Sequence, residues 1–279
     1  MNHEVFAALG EALKNGEEVA LVTIVSANGS TPQRVGAKML VHSDGRIVGT
    51  IGGGCYENEA LWKAREVIKT RKPCTVRYEL ADDFAAESGL ICGGQMEIFV
   101  EPIEASPALY VLGAGHVGQF VGRVAHDAGF QVHIVDDREK FANRERFPDA
   151  TSIIVDDIPS WLARTTLPGS AYVVVVTRGH RHDLDALRAL VPRALRYLGL
   201  IGSRAKVKRI YDVLVDEGVQ IEHLEHVHAP IGLDIGAVTP QEIAVAIVAE
   251  LIAVRRGKRD TVAGASLRWM PKLQVPEVR

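Results

Sequence analysis

Only three cysteines occur in 279 residues, too few for a disulfide framework or for a four-cysteine zinc site. Reduced thiols and a cytoplasmic setting are the expectation. A basic excess is also missing. Lys and Arg number 32 against 35 Asp and Glu, and the formal charge of −3 excludes the usual signature of a nucleic-acid binder. The one basic run, Arg255-Arg256-Gly257-Lys258-Arg259, has no aromatic residues among it and reads as a solvated helix end that complements the dipole. Long hydrophobic runs are absent too. The best, AVAIVAELIAV, carries Glu250 and falls short of the ~18 residues needed to cross a bilayer, so no membrane partner is expected. The opening MNHEVFAALGEALKNGEE places Glu4 ahead of any apolar stretch and spaces Val5, Leu9 and Leu13 as a helix does, unlike a secretory leader. Repeats and low-complexity segments are lacking.

What is present is an ordinary globular composition, 47% hydrophobic and 24% charged, long enough for one large or two medium domains. The break falls at EPIEASPA, where two prolines separate strand-like runs. Before it, EVALVTIVS, KMLVH, RIVGTI, TVRYEL and MEIFVE read as strands. Ser43-Asp44-Gly45 marks a hairpin, and Ala60, Leu61, Ala64, Val67 and Ile68 mark one face of a helix. Residues 1–104 therefore read as a small α+β domain with a mainly antiparallel sheet. After the break, strands such as LYVLG, QVHIVDD, SIIVDD, AYVVVVT and RYLGLIG alternate with helical segments. Several are apolar without alternation, as in a parallel sheet covered on both faces. Residues 108–254 thus read as a Rossmann-like, doubly wound α/β domain. Its last helix opens with Thr239-Pro240-Gln241-Glu242, a capping box with proline in the first turn. Residues 255–279 read as a tail without a structural signal.

The strongest motif is Gly113-Ala114-Gly115-His116-Val117-Gly118, which follows one such strand and opens a helix. Gly113 suits a tight turn, Gly115 lets backbone approach a pyrophosphate, and Gly118 lets the helix pack on the strand. Asp136 ends the next strand 23 residues after Gly113, where a carboxylate accepts from a ribose diol. Two further loops follow strands and belong on the same side: Thr177-Arg178-Gly179-His180-Arg181-His182-Asp183 and Gly199-Leu200-Ile201-Gly202-Ser203-Arg204. Arg178, Gly179, His180, Gly202 and Ser203 suit a phosphate-bearing ligand. His180-x-His182-Asp183 offers metal-ligating atoms but lacks a third ligand at recognisable spacing. His223, His226 and His228 read as solvated residues of a connector.

A second glycine cluster lies in the first domain. Gly52-Gly53-Gly54 precedes Cys55 at a helix start, and Cys92-Gly93-Gly94 repeats the pairing of thiol and glycine. A thiol at a helix N-terminus is favoured as the nucleophilic thiolate, with Glu57 and Glu59 opposing that. The other reading is two small residues buried in tight turns, as free cysteine often is. The residues alone leave these two readings open. Cys74, in KPCTVRYEL, reads as a strand residue.

The stretches GSTPQRVGAKMLV, GTIGGGCYENEA, GLICGGQMEIFVEP, LYVLGAGHVGQ, TRGHRHD, YLGLIGSRAKV and APIGLDIGAVTPQEIAVAI resemble the XdhC/CoxI family, and in that family's order. Members are accessory factors of xanthine dehydrogenase and related molybdenum hydroxylases. The resemblance implies binding of molybdenum cofactor, as molybdopterin or its cytosine dinucleotide form. It implies a chaperone that holds the cofactor for sulfuration by a cysteine desulfurase and passes it to the molybdenum hydroxylase apoenzyme. By the same resemblance the phosphate end suits Gly113, Gly115, His116 and Gly118. The pterin suits Gly52, Gly53, Gly54, Cys55, Cys92, Gly93 and Gly94, with Cys55 and Cys92 as candidate molybdenum contacts. Cys55, Cys92 and His180 are the candidates for any catalytic role. A homodimer is the default assembly.

Two other classes compete. An NAD(P)-dependent oxidoreductase would use the same glycine motif and Asp136, though only His180 and Arg178 offer a proton-transfer and substrate-clamping pair. A nucleotide-sensing interaction protein would need no chemistry.

Overall fold

The run VALVTIVSAN is the strand around which the first half of the molecule is organised. The computed structural model describes residues 2–79 and 94–273, and the chain divides into two compact units, Met1–Ser106 and Pro107–Arg279.

In the first unit, helix α1 (Asn2–Lys14) leads into β1 (Val19–Asn28), β2 (Lys38–His42) and β3 (Ile47–Gly49). Helix α2 (Gly54–Thr70), β4 (Cys74–Glu79) and β5 (Gln95–Ile103) follow. The five strands form one sheet in the order β3-β2-β1-β5-β4, and every pairing is antiparallel. Gly45 (φ 93°) supplies the left-handed residue that closes the β2–β3 hairpin. Ala20, Val22 and Ile24 of β1 face α2, packing with Ala60, Ala64 and Val67; Val19 and Leu21 pack with Val5 and Ala12 of α1. Helices on both faces explain why the start of β1 is buried without interruption, where a half-solvated strand would alternate.

The second unit begins with β6 (Ala108–Leu112), α3 (His116–Asp127), β7 (Gln131–Asp136) and β8 (Ser152–Val155). It continues through α4 (Ile158–Arg164), β9 (Tyr172–Val175), α5 (His180–Leu190) and β10 (Tyr197–Leu200). Helices α6 (Arg204–Asp216) and α7 (Ile221–Leu224), strand β11 (Val227–His228) and helix α8 (Pro240–Arg255) complete it. Six parallel strands lie in the order β11-β10-β9-β6-β7-β8. Numbered from β6, this is the 3-2-1-4-5-6 arrangement of a dinucleotide-type doubly wound sheet, with its switch point between β6 and β9. Val174 and Val176 pack with α3 and α8 on one face, while Val173 and Val175 pack with α4, α5 and α6 on the other. Such strands cannot alternate, because neither face is wet.

Helix α8 starts at the capping box: Thr239 Oγ1 accepts from Glu242 N–H (3.3 Å), and Glu242 Oε2 accepts from Thr239 N–H (2.8 Å). Between residues 256 and 270 the segment after α8 is structured. Leu267 N–H donates to Gly232 O (2.8 Å) and Trp269 N–H to Ala229 O (2.9 Å), so it runs beside the loop that follows β11. Under it lies a buried carboxylate, Glu250, only 1% exposed. It accepts from Tyr197 Oη (2.5 Å), Ser266 Oγ (2.5 Å) and Gly232 N–H (2.9 Å), and His228 Nδ1 stands 3.0 Å away. His228 is therefore no solvated connector residue. It sits on β11 at 4% exposure, because the C-terminal segment covers it.

Candidate functional site

The glycine loop sits where its sequence places it, between the end of β6 and the start of α3. Gly113 has φ 116°, and a Cβ there would lie 2.5 Å from Val176 O, so only glycine fits against β9. At Gly118 a Cβ would stand 2.0 Å from Gly113 O, which is the close helix–loop approach. Gly115 differs: nothing lies within 4 Å of its missing Cβ. Gly115 is also the N-cap of α3 and supplies no side-chain acceptor. The first N–H groups of a 12-residue helix are therefore left without a side-chain cap at the switch point, the arrangement that favours an anion. His116, the first residue of α3, is exposed beside them.

Asp136 lies at the end of β7 but is 3% exposed, and its carboxylate is already engaged. Oδ2 accepts from Ala114 N–H (2.7 Å) and Arg138 Nη2 (2.9 Å); Oδ1 accepts from Arg138 N–H (3.0 Å) and Nε (2.8 Å). Burial pushes this carboxyl up, but the Arg138 and Ala114 hydrogen bonds outweigh it and hold Asp136 below the ordinary carboxylate range. It braces the glycine loop, with no lone pair pointed at an open ribose site. Its neighbour Asp137 is the exposed acid, and it accepts from Arg178 Nη2 at 2.9 Å.

Two more loops gather at the same strand ends. Gly179 is the N-cap of α5, again without a side-chain cap, and His180 follows as an exposed first residue. Arg178 Nε donates to His182 Nε2 (3.2 Å). Asp183 turns inward, is 0% exposed, and accepts from Thr177 Oγ1 (2.7 Å) while Lys206 Nζ stands 2.5 Å from its other oxygen. Lys206 also donates to Ile201 O (3.0 Å), and Gly202 leaves room for the Lys206 stem. The buried Asp183–Lys206 pair thus ties the loop after β9 to the loop after β10. Ser203 is spent as the N-cap of α6, accepting from Lys206 N–H. Because Asp183 faces Lys206, the His180-x-His182-Asp183 triplet presents no common face to a metal. Among the described residues no group of three His, Cys, Asp or Glu could hold one.

In the first unit, Gly52, Gly53 and Gly54 have φ of 127°, 77° and 74°, three successive left-handed residues. Their turn points N–H groups inward, and Glu57 fills the hollow. Its Oε2 accepts from Thr50 Oγ1 (2.5 Å), Ile51 N–H (3.0 Å) and Gly53 N–H (3.2 Å). Cys55 is exposed in the first turn of α2, while Cys74 is half-buried on the edge strand β4. Gly94 is explained by packing, since a Cβ there would meet Ser30 O at 2.5 Å and Asn28 O at 2.6 Å. Cys92 and Gly93 lie outside the described residues.

The roles of Lys206, of Glu57 as acceptor for the glycine turn and of the Arg138–Asp136 pair are not legible in the motifs. Each residue lies within a few residues of a glycine motif, and its role depends on a side-chain direction that spacing does not encode.

Residues 109–251 match the XdhC Rossmann domain, and residues 12–79 match the XdhC and CoxI family. The chain belongs to the XdhC/CoxI family. It is 35% identical to the Escherichia coli (strain K12) protein YqeB over 85% of its own length and 43% of YqeB, so it spans less than half of that relative. It is 25% identical to a Bacillus subtilis (strain 168) protein named as a probable xanthine dehydrogenase subunit, over 89% of this chain and 96% of that one. It is also 25% identical to the molybdenum cofactor insertion chaperone PaoD of Escherichia coli (strain K12), over 88% of this chain and 86% of PaoD. A crystal structure described as a xanthine dehydrogenase from Bacillus halodurans shares the fold. Its TM-score is 0.51 at 24% identity, covering 90% of this chain and 96% of that chain. Among the described residues no helix is long and apolar enough to cross a membrane.

Proposed function

We propose that this chain is a maturation chaperone for molybdenum cofactor, one that binds the phosphorylated pterin and delivers it to a molybdenum hydroxylase apoenzyme. The observation that carries this reading is the open, uncapped N-terminus of α3 at Gly115, in a chain 25% identical to a molybdenum cofactor insertion chaperone. An N-terminus of this kind, at the switch point of a parallel sheet, fits a phosphate or pyrophosphate. On this reading Gly113, Gly115, His116 and Gly118 hold the phosphate end, with Arg178, Gly179 and His180 beside it. Gly202 and Ser203 shape the adjoining loop through Lys206. In the first unit, Gly52 to Cys55 are the proposed approach to the pterin, together with Cys92, Gly93 and Gly94. Sulfuration of the bound cofactor by a cysteine desulfurase, before transfer, belongs to the same proposal.

The test is direct. The full chain, purified from cells that make the cofactor, should carry molybdenum and pterin in equal amounts, and should restore activity to apoenzyme. An NAD(P)-dependent oxidoreductase, the second reading, instead binds NAD(H) or NADP(H) calorimetrically and carries no molybdenum. Asp136 weighs against NAD(H) as the ligand, because both of its oxygens are occupied by protein donors.

A further inference from the structure

Three cations crowd one aromatic ring beside the glycine loop. The Arg138 guanidinium lies 4.1 Å from the centre of the Phe141 ring, that of Arg146 5.3 Å, and the Lys140 ammonium 5.5 Å. Cations held this close repel one another unless anions intervene. The acids in contact, Asp136 at 2.8 Å and Asp137 at 3.9 Å, both face Arg138. Among the described residues neither Lys140 nor Arg146 has an ion pair.

The two guanidinium groups bracket a single residue of the loop, Ala114, through its N–H on one side and its C=O on the other. Arg138 reaches Ala114 N–H through the Asp136 carboxylate, and Arg146 Nη2 points at Ala114 O from 3.4 Å. Their donors are not used up. Arg138 meets Asp136 edge-on through Nε and Nη2, which leaves Nη1 without a protein partner among the described residues. Arg146 Nε is buried and likewise has no hydrogen-bond acceptor. A buried donor left unpaired costs stability, so a purely structural cage of cations on Phe141 does not account for it. Asp136, meanwhile, is turned away from the diol-accepting role its position suggests.

We propose that Arg138, Lys140 and Arg146 form a second anion subsite adjoining the glycine loop. The ligand of that loop then carries two separated anionic groups. One lies at the N-terminus of α3, and the other is a phosphate monoester or its equivalent where a nucleotide would otherwise offer a free ribose diol. Guanidinium donors suit phosphate oxygens in charge and in geometry. The proposal rests on the reading that Gly113 to Gly118 is a ligand loop.

Adenosine 2′,5′-bisphosphate and adenosine 5′-monophosphate differ only in the group at issue. Titrated calorimetrically against the full chain, the bisphosphate should bind about tenfold tighter, the worth of one charge-assisted contact. That preference should shrink in high salt. The double variant Lys140→Gln/Arg146→Gln should bind both probes equally. Lys140→Gln alone, at an exposed position, should lose part of the preference and serves if the double variant melts early. Equal affinities in the parent chain overturn the subsite but leave the glycine-loop reading intact. Failure of both probes to bind overturns the two together.

Discussion

Arg178 Nη2 donates to Asp137 Oδ2 at 2.9 Å, linking loops that follow β9 and β7, the two strands that flank β6 on either side. The pair therefore spans the strand that carries the glycine loop. Both side chains are nearly half exposed, so the bond itself is worth only ~0–1 kcal/mol, and neither partner is needed for folding. Arg178→Gln should leave the melting temperature almost unchanged and weaken binding of an anionic nucleotide about tenfold. Asp137→Asn should do the reverse, releasing Arg178 and removing a negative charge, and strengthen binding a few-fold. Equal weakening by both variants would show the pair to be a structural strap rather than a source of cation for the ligand.

Gly115 and Gly118 separate ligand space from packing space. Gly118→Ala places a methyl 2.0 Å from Gly113 O and should cost about 1–3 kcal/mol, read by urea denaturation. Gly115→Ala and Gly115→Val enter open space at a φ of −66° and should fold normally, yet bind pterin or nucleotide more weakly than the parent. Undiminished affinity in Gly115→Val would remove the loop from the ligand site.

Glu250 should shape the acid limb of stability. Burial raises its pKa, but the bonds from His228, Ser266 and Tyr197 more than offset this and hold it at about 2, below the ordinary 4.5. A carboxyl depressed on folding stabilises fully above its unfolded pKa, and that contribution drains away as pH falls from about 4.5 toward about 2. Asp136 is depressed too and also loses stabilisation on the acid side, so the informative quantity is a difference between proteins. Glu250→Gln should lose roughly 1–3 kcal/mol at neutral pH and show a shallower decline below pH ~4.5 than the parent. Parallel acid limbs in the two proteins would mean that Glu250 is not charged when folded.

The two described cysteines differ in access. Cys55 is exposed and Cys74 half-buried, so a thiol reagent should modify Cys55 first in the native chain. Cys55→Ser should leave stability unchanged. If the thiol serves the cofactor, the same variant should reduce retained molybdenum and client activation, whereas Cys74→Ser should do neither. Full client activation by Cys55→Ser would leave the three glycines explained by backbone conformation alone.

Periodicity and punctuation carried much of the architecture. The unbroken apolar run of β9 announced a strand covered on both faces, and Thr239-Pro240-Gln241-Glu242 announced the start of α8. Gly113 and Gly118 were legible because each answers a backbone constraint. Side-chain partnerships were not, because spacing says where a residue is and not where it points. Asp136 occupies the position of a ribose acceptor, yet Arg138, two residues on, turns it into a brace. His228 looked like one of three solvated histidines until a segment without sequence periodicity, 259–270, proved to lie over it through Ser266 and Trp269.

Glu57 has a consequence for how the first unit meets anything negatively charged. Its carboxylate occupies the concavity made by Thr50, Ile51 and Gly53, so that loop is a receptor that already holds an internal competitor. An incoming anion there cannot simply add; it must exchange. The free energy of binding becomes the difference between two carboxylate-like contacts, and binding requires the Glu57 carboxylate to swing out of that concavity. Glu57→Gln, with the same shape and no charge, would then convert an exchange reaction into a plain association, with a faster on-rate as its kinetic mark.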